Sequence, residues 1–375
     1  MARLIFVTGT SPDVESGSGT SVGIAVLRHA LVGSGHVVDL LAPSGGRGPM
    51  SLPARLAFDL RARTRVRRLS ASTPPPDAVV GFDLDGVFLP RGGGGLRVAA
   101  IKGTLAEEAE HERGLSRLRL EAEAVLEKRH ARRADLVIAP SEHSASAIRR
   151  FYGVSRDRIA VVPEPIDLAR WRGALGDFRG SPSAGGRILC VAHLYPRKDV
   201  ATLLDAMALL PSEARLRVIG TGPERKALLA RAAALRLGER VVLAGHVPFD
   251  RLAEEYRSAD VFCLPSRQEG FGIVFLEAMA AGLPIVAARA TAVPEVVADR
   301  ECGLLVPPGD APALASALQS VLGDASLRQR LAESGRRRVT AYDAPLIARK
   351  FLAAIAGAPT ELANLRTADA AAVSR

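Results

Sequence analysis

Cysteine and long hydrophobic runs are scarce in this sequence of 375 residues. Only Cys190, Cys263 and Cys302 occur, and each lies in a short apolar run. An odd number of thiols in strand-like runs favours buried free cysteines over a disulfide framework or a metal site. No run approaches the roughly 18 apolar residues that a membrane-spanning helix needs, and the apolar segment after Met1 is too short for a secretory signal. The sequence therefore predicts a soluble, globular, cytoplasmic protein.

Aromatic residues and lysine are also rare. Phe, Trp and Tyr make up 4% of the chain, and only five of the 50 basic residues are lysine. The net charge of +10 and the pI near 10.2 therefore come almost entirely from arginine. These arginines are scattered along the chain without interleaved aromatic residues or a recognisable nucleic-acid-binding motif, which argues against nucleic acid as a partner.

One block of the sequence, PARLAFDLRARTRVRRLS at 53–70, is densely basic. Leu56, Leu60, Val66 and Leu69 are spaced so that they can share one face of a helix. The arginines that surround this face are Arg61, Arg63, Arg65, Arg67 and Arg68. Such a helix could rest on an anionic membrane surface. It could equally be a solvated helix with one face on the protein core, and the sequence leaves both alternatives open.

Short apolar runs alternate with helical patterns through almost the whole chain, which is typical of βαβ units and a parallel sheet. The strand candidates of the first half are 3–9, 36–43, 77–82, 96–103, 134–141 and 158–164. Those of the second half are 187–194, 215–222, 240–247, 259–266, 284–290 and 303–308. Between the halves, 172–186 is rich in Gly, Ser and Pro and predicts a surface linker. The expected fold class is α/β, with two doubly wound domains in tandem.

Charge and apolar spacing predict helices at two further places. One long helix is expected over about 104–133, because the segment begins acidic and ends basic, as the helix dipole favours. The last amphipathic pattern lies at 344–358. Behind it, 359–375 has too few large apolar residues to pack, so we expect a mobile tail there.

Three segments of the second half place anion-binding groups after strands. In VAHLYPRKDV a strand ends and a helix begins, which puts His193 and Lys198 at the carboxyl edge of the sheet. Glycines follow the next strand in IGTGPERK. In EGFGIVFLE the turn Gly270–Gly272 leads into a helix whose first N–H groups, near Ile273 and Val274, lack partners. Such amides form a pyrophosphate seat, and with an ammonium beside it the seat suits a nucleotide diphosphate.

Two glutamates, Glu269 and Glu277, stand eight residues apart around this turn. A carboxylate can accept hydrogen bonds from two hydroxyls at once. Glu269 could therefore accept from hydroxyls of the group attached to the β-phosphate, and Glu277 from a vicinal diol such as a ribose. The alternatives are a solvated loop charge for Glu269 and a contact with the helix dipole for Glu277.

The segment SRQEGFGIVFLEAMAAGLPIVA resembles the retaining glycosyltransferases of the GT-B fold, specifically glycosyltransferase family 4, the group 1 glycosyltransferases. Its most specific part is Glu269, seven residues, then Glu277, and HLYPRK, GTGPE, YRSADVFCLPS and VVPEPID also match. The resemblance implies two Rossmann-like doubly wound domains facing a central cleft. The implied parts are an N-terminal acceptor-binding domain at 1–168, a C-terminal donor-binding domain at 169–341, and a helix at 342–358 that packs back on the first domain.

The resemblance also implies roles for individual residues. Lys198 and His193 would hold the diphosphate, and with Glu269 they are the candidate catalytic residues. The candidate substrate-binding residues are Gly17, Gly19, Lys102, Gly220, Gly222, Glu224, Val247, Gly270, Phe271, Gly272, Ile273, Val274 and Glu277. The sequence departs from the family pattern twice, since His193 stands where many members have Arg and Lys102 where many have His.

Two short patterns point to other functions and are set aside. Asp83 and Asp85 in DLD resemble the metal-binding pair of the other glycosyltransferase fold, but that fold has a single nucleotide domain. We therefore expect no required metal and no other cofactor. The N-terminal GSGTSVG does not have the spacing G-x-G-x-x-G of a dinucleotide fingerprint, which argues against an NAD-dependent oxidoreductase.

The reaction that the resemblance implies is transfer of a hexose from a nucleotide-diphosphate sugar to an acceptor hydroxyl, with retention of the anomeric configuration and without a metal. The expected partners are this donor, a sugar, lipid-linked or small-molecule acceptor and, through 53–70, the inner face of an anionic membrane. A phosphorylase or sugar-nucleotide epimerase of the same architecture stays open as an alternative. So does a sugar-nucleotide binding protein without catalytic activity.

Overall fold

The protein folds into two compact units, one formed by Met1–Pro165 with Ala344–Arg375 and the other by Ile166–Asp343. The structure is a computed structural model that describes residues 1–11, 19–43, 50–71, 74–90, 95–176 and 186–358. The tail expected at 359–375 lies outside the described residues.

The first unit is a parallel sheet with helices on both faces. Its strands are β1 (Arg3–Val7), β2 (Val37–Leu41), β3 (Ala78–Phe82), β4 (Leu96–Ala100), β5 (Leu136–Ala139) and β6 (Ile159–Val161). They pair in the order β2-β1-β3-β4-β5-β6. The helices between them are α1 (Gly19–Gly33), α2 (Leu52–Ser70), α3 (Leu105–Glu110), α4 (Gly114–Arg133) and α5 (Glu142–Ala147). Leu4 and Phe6 of β1 join the core beneath α1, whereas Ile5 and Val7 join the core beneath α2.

The second unit is a second parallel sheet. Its strands are β7 (Arg187–Val191), β8 (Arg215–Ile219), β9 (Val241–Gly245), β10 (Val261–Leu264), β11 (Ile285–Ala288) and β12 (Gly303–Val306). They pair in the order β12-β11-β10-β7-β8-β9. The helices of this unit are α6 (Leu168–Leu175), α7 (Val200–Leu209), α8 (Arg225–Ala234), α9 (Phe249–Ser258), α10 (Ile273–Ala281), α11 (Val293–Val296), α12 (Ala311–Gly323) and α13 (Ala325–Val339).

All twelve predicted strands are present, and the α/β class with two doubly wound sheets is confirmed. Every residue of β3, β5, β10 and β11 is buried, which explains why these strands are uninterrupted apolar runs. Most strands end a few residues before the apolar run does. The remaining residues of each run turn into the loops at the carboxyl edge, where the candidate site residues lie.

The helix predicted over 104–133 is instead two helices, so this prediction was wrong. α3 ends at Glu110, and α4 begins at Gly114, whose φ of 57° is left-handed and interrupts the helical path. The charge gradient of the segment gave no sign of this turn.

The predicted linker, 172–186, begins later than expected, because its first residues belong to α6. Trp171 and Leu175 of this helix are buried, and the Trp171 ring lies 5.1 Å from Phe249 and 5.4 Å from Tyr256 between centroids. Packing of these side chains extends the helix into a segment whose composition is typical of a loop. Residues 177–185 lie outside the described part of the chain.

The last helix, α14 (Ala344–Ala356), packs on the first unit although it follows the second in sequence. Its buried residues Ile347 and Phe351 share a core with Phe6 of β1. The rings of Phe351 and Phe6 are 6.1 Å apart between centroids in an edge-to-face arrangement. The chain therefore returns to the first unit after Asp343.

The basic helix α2 has one buried and one arginine-rich side. Phe58, Ala62 and Val66 are buried in the core with β1. Leu60, which the sequence placed on the apolar face, is 50% exposed. This prediction was wrong because the side chains that face the core are those of residues 58, 62 and 66. The exposed arginines are Arg61, Arg65, Arg67 and Arg68. None of the helices in the described part of the chain is long and apolar enough to cross a membrane.

Candidate functional site

The connections of the second sheet change direction at its centre. β7 and β10 lie side by side, and the chain proceeds outward from β7 through β8 and β9 but outward from β10 through β11 and β12. The loops after β7 and β10 therefore leave a crevice at the carboxyl ends of these strands. This is the position at which open α/β sheets bind ligands.

Lys198 and Glu269 meet at this crevice. Lys198 ends a short 3-10 turn after β7, and Glu269 lies in the loop after β10. Lys198 Nζ donates to Glu269 Oε1 at 2.6 Å, and the buried Ser266 hydroxyl donates to the same oxygen at 2.8 Å. Glu269 is only 6% exposed, so the ion pair is largely shielded from water. The sequence predicted both residues at this edge, but neither their direct contact nor the hydrogen bond from Ser266.

The neighbouring loop holds the main chain of Glu269. Its N–H donates to Thr291 Oγ1 at 2.8 Å, and the Thr291 hydroxyl donates back to the Glu269 carbonyl at 3.0 Å. Thr291 follows β11, which pairs with β10, so the two loops start side by side. No sequence pattern had singled out Thr291.

The glycine turn after Glu269 leads directly into α10. Gly272 has a φ of 92°, and a Cβ atom there would lie 2.6 Å from the Phe275 ring, so glycine is required. Ile273 and Val274 occupy the first turn of α10, where backbone N–H groups lack intrahelical acceptors. These donors and the positive end of the helix dipole favour a bound anion.

Phe271, a predicted substrate-binding residue, has its ring in the protein interior. The residue is 5% exposed, and its ring centroid lies 5.7 Å from that of Tyr342. The Phe271 side chain therefore anchors the glycine turn to the interior.

Glu277 lies in α10 and is 8% exposed. The buried Tyr256 hydroxyl donates to Glu277 Oε2 at 2.8 Å. Burial raises the pKa of Glu277 to about 7, and the hydrogen bond from Tyr256 partly opposes this rise. Tyr256 is in turn stacked on Phe262 of β10, with 5.8 Å between ring centroids. The sequence motif contained Tyr256 but gave no indication of this contact.

His193 follows β7 and keeps an exposed face. Neighbouring protein atoms nevertheless desolvate much of the ring, and this lowers its pKa. The hydrogen bond to the Thr221 backbone raises the pKa but does not outweigh burial, and the charges of Lys198 and Arg197 lower it further. The lowered pKa favours the neutral form of the ring.

Gly220 and Gly222 let the loop after β8 pack on the loop after β7. Gly220 has a φ of 125°, and a Cβ atom there would lie 1.9 Å from the Ala192 carbonyl oxygen. A Cβ atom at Gly222 would lie 2.6 Å from the backbone of Leu194. The Glu224 amide donates to the Leu194 carbonyl at 3.0 Å. These residues thus shape the loop that carries His193 and Lys198.

The structure describes two further predicted binding residues, Val247 and Gly19. Val247 follows β9 and packs, half-buried, on the core of the second unit. Gly19 is the exposed first residue of α1 in the first unit. Gly17 lies outside the described residues.

Lys102 lies after β4 in the first unit, where a carboxylate pairs with it. Its Nζ donates to both oxygens of Glu164, at 2.7 and 2.9 Å, and lies 5.5 Å from the centroid of the Phe82 ring. Its backbone N–H donates to Asp83 Oδ1 at 2.7 Å. A ligand of Lys102 would have to share this ammonium with Glu164.

Asp83 and Asp85 have structural partners. Both Asp85 oxygens accept from Arg55, at 2.6 and 2.7 Å, and one also accepts from the Gly9 amide at 2.6 Å. Burial raises the pKa of Asp83 to about 7, although its bond from the Lys102 amide opposes this. Within the described residues, no cluster of three or more His, Cys, Asp or Glu side chains could hold a metal ion.

Two protein-family models match the chain. Glycosyltransferase Family 4 matches residues 17–170, and Glycosyl transferases group 1 matches residues 178–338. The two matches follow one another and together cover most of the sequence, including every candidate residue of the crevice.

Curated relatives show the same likeness. The chain is 36% identical over 217 residues to a D-inositol 3-phosphate glycosyltransferase of Xylanimonas cellulosilytica, which covers 54% of this chain and 52% of the relative. It thus spans about half the length of this relative and of several others. It is 28% identical over 372 residues to a GDP-mannose-dependent alpha-(1-6)-phosphatidylinositol monomannoside mannosyltransferase of Mycobacterium tuberculosis, covering 91% of this chain and 94% of that protein.

Among solved structures, the sucrose-phosphate synthase of Thermosynechococcus elongatus superposes with a TM-score of 0.79 at 23% identity, covering 94% of this chain and 97% of that one. At this identity the likeness supports the fold alone. The two family models show that the chain belongs to the group 1 glycosyltransferases, glycosyltransferase family 4, and the structural likeness shows the GT-B fold.

Proposed function

We propose that this protein transfers a hexose from a nucleotide-diphosphate sugar to an acceptor hydroxyl, with retention of the anomeric configuration and without a required metal ion. The observation that carries the proposal is the Lys198–Glu269 ion pair at the switch point of the second sheet, just before the N-terminus of α10. A cation, a carboxylate and free helix amides match the diphosphate and the hydroxyls of a nucleotide sugar.

Lys198 and the first amides of α10 would stabilise the leaving diphosphate. Negative charge grows on this group as the bond to the sugar breaks, and preorganised donors stabilise such charge most in a site shielded from water. Burial lowers the pKa of His193, and its ring bonds to the Thr221 backbone. The negative charge of a bound diphosphate would raise its pKa, so that the ring could take up a proton and donate to the phosphate.

Glu269 would face the transferring sugar. Its Oε1 already accepts from Lys198 and Ser266, whereas its Oε2 has no hydrogen-bond partner among the described residues. Oε2 is therefore available to a sugar hydroxyl. The negative charge of the carboxylate also stabilises the positive charge that develops at the anomeric carbon. Retention requires the acceptor to approach from the side on which the diphosphate leaves, and a phosphate oxygen of the leaving group then takes the acceptor proton.

Glu277 would hold the ribose of the donor. Tyr256 donates to Oε2, and Oε1 would accept from a vicinal diol, which supplies hydroxyl donors. This partner is present in the nucleotide with or without its sugar. Glu277 should therefore act on binding, and Glu269 on transfer.

The relatives indicate which substrates to test first. Their names specify a GDP-mannose donor in one case and inositol-based acceptors in two. For this chain we propose only a hexosyl donor and a sugar, lipid-linked or small-molecule acceptor. A lipid-linked acceptor would agree with contact between the exposed arginines of α2 and an anionic membrane.

The proposal is tested by incubating the protein with a panel of nucleotide sugars, with and without acceptors. Release of nucleotide diphosphate that depends on acceptor, persists in excess chelator and gives a product of unchanged anomeric configuration by NMR would support it. Breakdown of the donor that depends on phosphate would indicate a phosphorylase, and an epimerised donor would indicate an epimerase. Binding of donor without turnover would indicate a binding protein.

A further inference from the structure

Thr291 has a backbone conformation that its residue type rarely adopts. It lies in the loop after β11 with a φ of 46°. Left-handed φ values are unfavourable for residues with a Cβ atom and are outliers for β-branched residues such as threonine. Strain of this kind persists where surrounding contacts demand it, and it clusters at functional sites.

Within the described part of the chain, the Thr291 hydroxyl forms hydrogen bonds with one residue, Glu269. Its Oγ1 accepts from the Glu269 N–H at 2.8 Å and donates to the Glu269 carbonyl at 3.0 Å. The Ala292 amide also approaches the Glu269 carbonyl, at 3.4 Å. One hydroxyl thus satisfies both backbone groups of Glu269 and joins the loop after β11 to the loop after β10.

Glu269 is consequently fixed at both ends. The Thr291 hydroxyl holds its main chain, and Lys198 with Ser266 holds its Oε1. Rotation or displacement of the main chain would move Oε2, the oxygen directed to substrate in the proposed function. Misplacing a catalytic group by about 1 Å is enough to lower a rate on the order of a hundredfold.

We propose that Thr291 is a positioning residue that acts through Glu269: its strained backbone places the hydroxyl where it fixes the Glu269 main chain and, with it, the carboxylate. The inference rests on the proposed role of Glu269 in sugar transfer. In this role Thr291 acts on sugar transfer and not on binding of the nucleotide. Loss of the hydroxyl should lower turnover and leave affinity for the bare nucleotide diphosphate unchanged.

Three substitutions distinguish this role from a purely structural one. Thr291→Ser keeps the hydroxyl, Thr291→Val keeps the shape without it, and Thr291→Gly removes the hydroxyl together with the strain. We expect Ser to retain turnover within a few fold, and Val and Gly to lower kcat on the order of tenfold to a hundredfold. The Gly variant should melt at or above the wild-type temperature, because relief of strain offsets the lost hydrogen bonds. A residue with a purely structural role would not lower kcat without also lowering the melting temperature.

The decisive test combines Thr291→Gly with Glu269→Gln. If Thr291 acts through Glu269, adding Thr291→Gly to Glu269→Gln should lower kcat no further. Multiplicative losses, wild-type kcat in both the Val and Gly variants, or an equal loss of nucleotide diphosphate affinity would each overturn the proposal.

A binding measurement, which needs no turnover, tests the role of Thr291 separately from the proposed function. If the wild type transfers no sugar, the proposed function fails. Calorimetry can then compare nucleotide sugar with nucleotide diphosphate, and the difference in affinity reports the contact with the sugar. Thr291→Gly should abolish this difference, and an unchanged difference would overturn the positioning role on its own.

Discussion

Lys198 and Glu269 are 71 residues apart in sequence, yet Lys198 Nζ lies 2.6 Å from Glu269 Oε1 at the centre of the second sheet. The side chains are 15% and 7% exposed, so each charge is partly desolvated and depends on the other. The pair keeps both groups in place in the free protein. A bound diphosphate would share Lys198 with the carboxylate rather than meet an unpaired cation.

Replacement of Lys198 should therefore affect both binding and turnover. Lys198→Ala removes a charged donor, and we expect weaker binding of nucleotide diphosphate by about tenfold or more, since hydrogen bonds to charged groups contribute about 1.5–3 kcal/mol. Turnover should fall further, because the charge on the leaving group is larger in the transition state. Calorimetry and steady-state rates measure the two effects. Lys226→Ala, at an exposed position on α8, is the matched control. Wild-type affinity and rate in Lys198→Ala would contradict the assignment of Lys198 to the diphosphate.

The raised pKa of Glu277 predicts a pH dependence of nucleotide affinity. The pKa of this buried carboxyl is about 7 in the free protein, and a ribose diol binds best to the ionised form. Below pH 7 a proton must leave before binding, so affinity should rise with pH by at most about tenfold per pH unit and level off above pH 8. Calorimetry with nucleotide diphosphate from pH 5.5 to 8.5 measures this. The Glu277→Gln variant should bind nucleotide diphosphate more weakly, and its affinity should not rise with pH. If its affinity rises as in the wild type, a group other than Glu277 causes the pH dependence.

Tyr256→Phe should move the same transition. The Tyr256 hydroxyl lowers the pKa of Glu277, so its removal should raise that pKa further and shift the rise in affinity to higher pH. Phenylalanine keeps the stacking on Phe262, and the lost hydrogen bond should cost about 1 kcal/mol of stability. The midpoint of affinity against pH is compared between wild type and variant. A midpoint that stays in place or moves to lower pH would mean that Tyr256 does not control Glu277.

The exposed side of α2 predicts attachment to anionic membranes that depends on salt. Arginines near such a surface contribute about 1 kcal/mol each, and salt screens the attraction. The protein should co-sediment with anionic liposomes at low salt, dissociate as salt rises and ignore neutral liposomes. Exchange of Arg61, Arg65 and Arg68 for Glu should abolish sedimentation. The control exchanges three exposed arginines elsewhere, namely Arg150, Arg236 and Arg337. Equal losses in both triple variants would indicate an effect of net charge alone.

The sequence predicted the sheets and the edge of the site because these depend on local patterns. Each strand is a short apolar run, and Lys198 and Glu269 follow such runs at the point where parallel strands end. The Gly272 turn was also predictable, since only glycine suits its φ of 92°. The resemblance to a family supplied the roles that local patterns could not.

The features that the sequence did not predict depend on contacts between distant segments. Thr291 has a φ that threonine disfavours, and only the adjacent Glu269 loop explains it. In α2, Phe58 rather than Leu60 faces the core, because the position of β1 decides which stripe is buried. The pairing of Asp85 with Arg55 was likewise not predicted, because 30 residues separate them in sequence. Local sequence carries no information on such pairings.

The most direct test of the account is the turnover of Glu269→Gln with the best donor and acceptor, set beside its affinity for bare nucleotide diphosphate. The substitution keeps the shape of the side chain and removes its negative charge. We expect kcat to fall on the order of a hundredfold, as for loss of one key electrostatic contact, while the affinity for nucleotide diphosphate changes little. Wild-type turnover in Glu269→Gln, or a loss of nucleotide affinity as large as that in Glu277→Gln, would contradict the assignment of Glu269 to the transferring sugar.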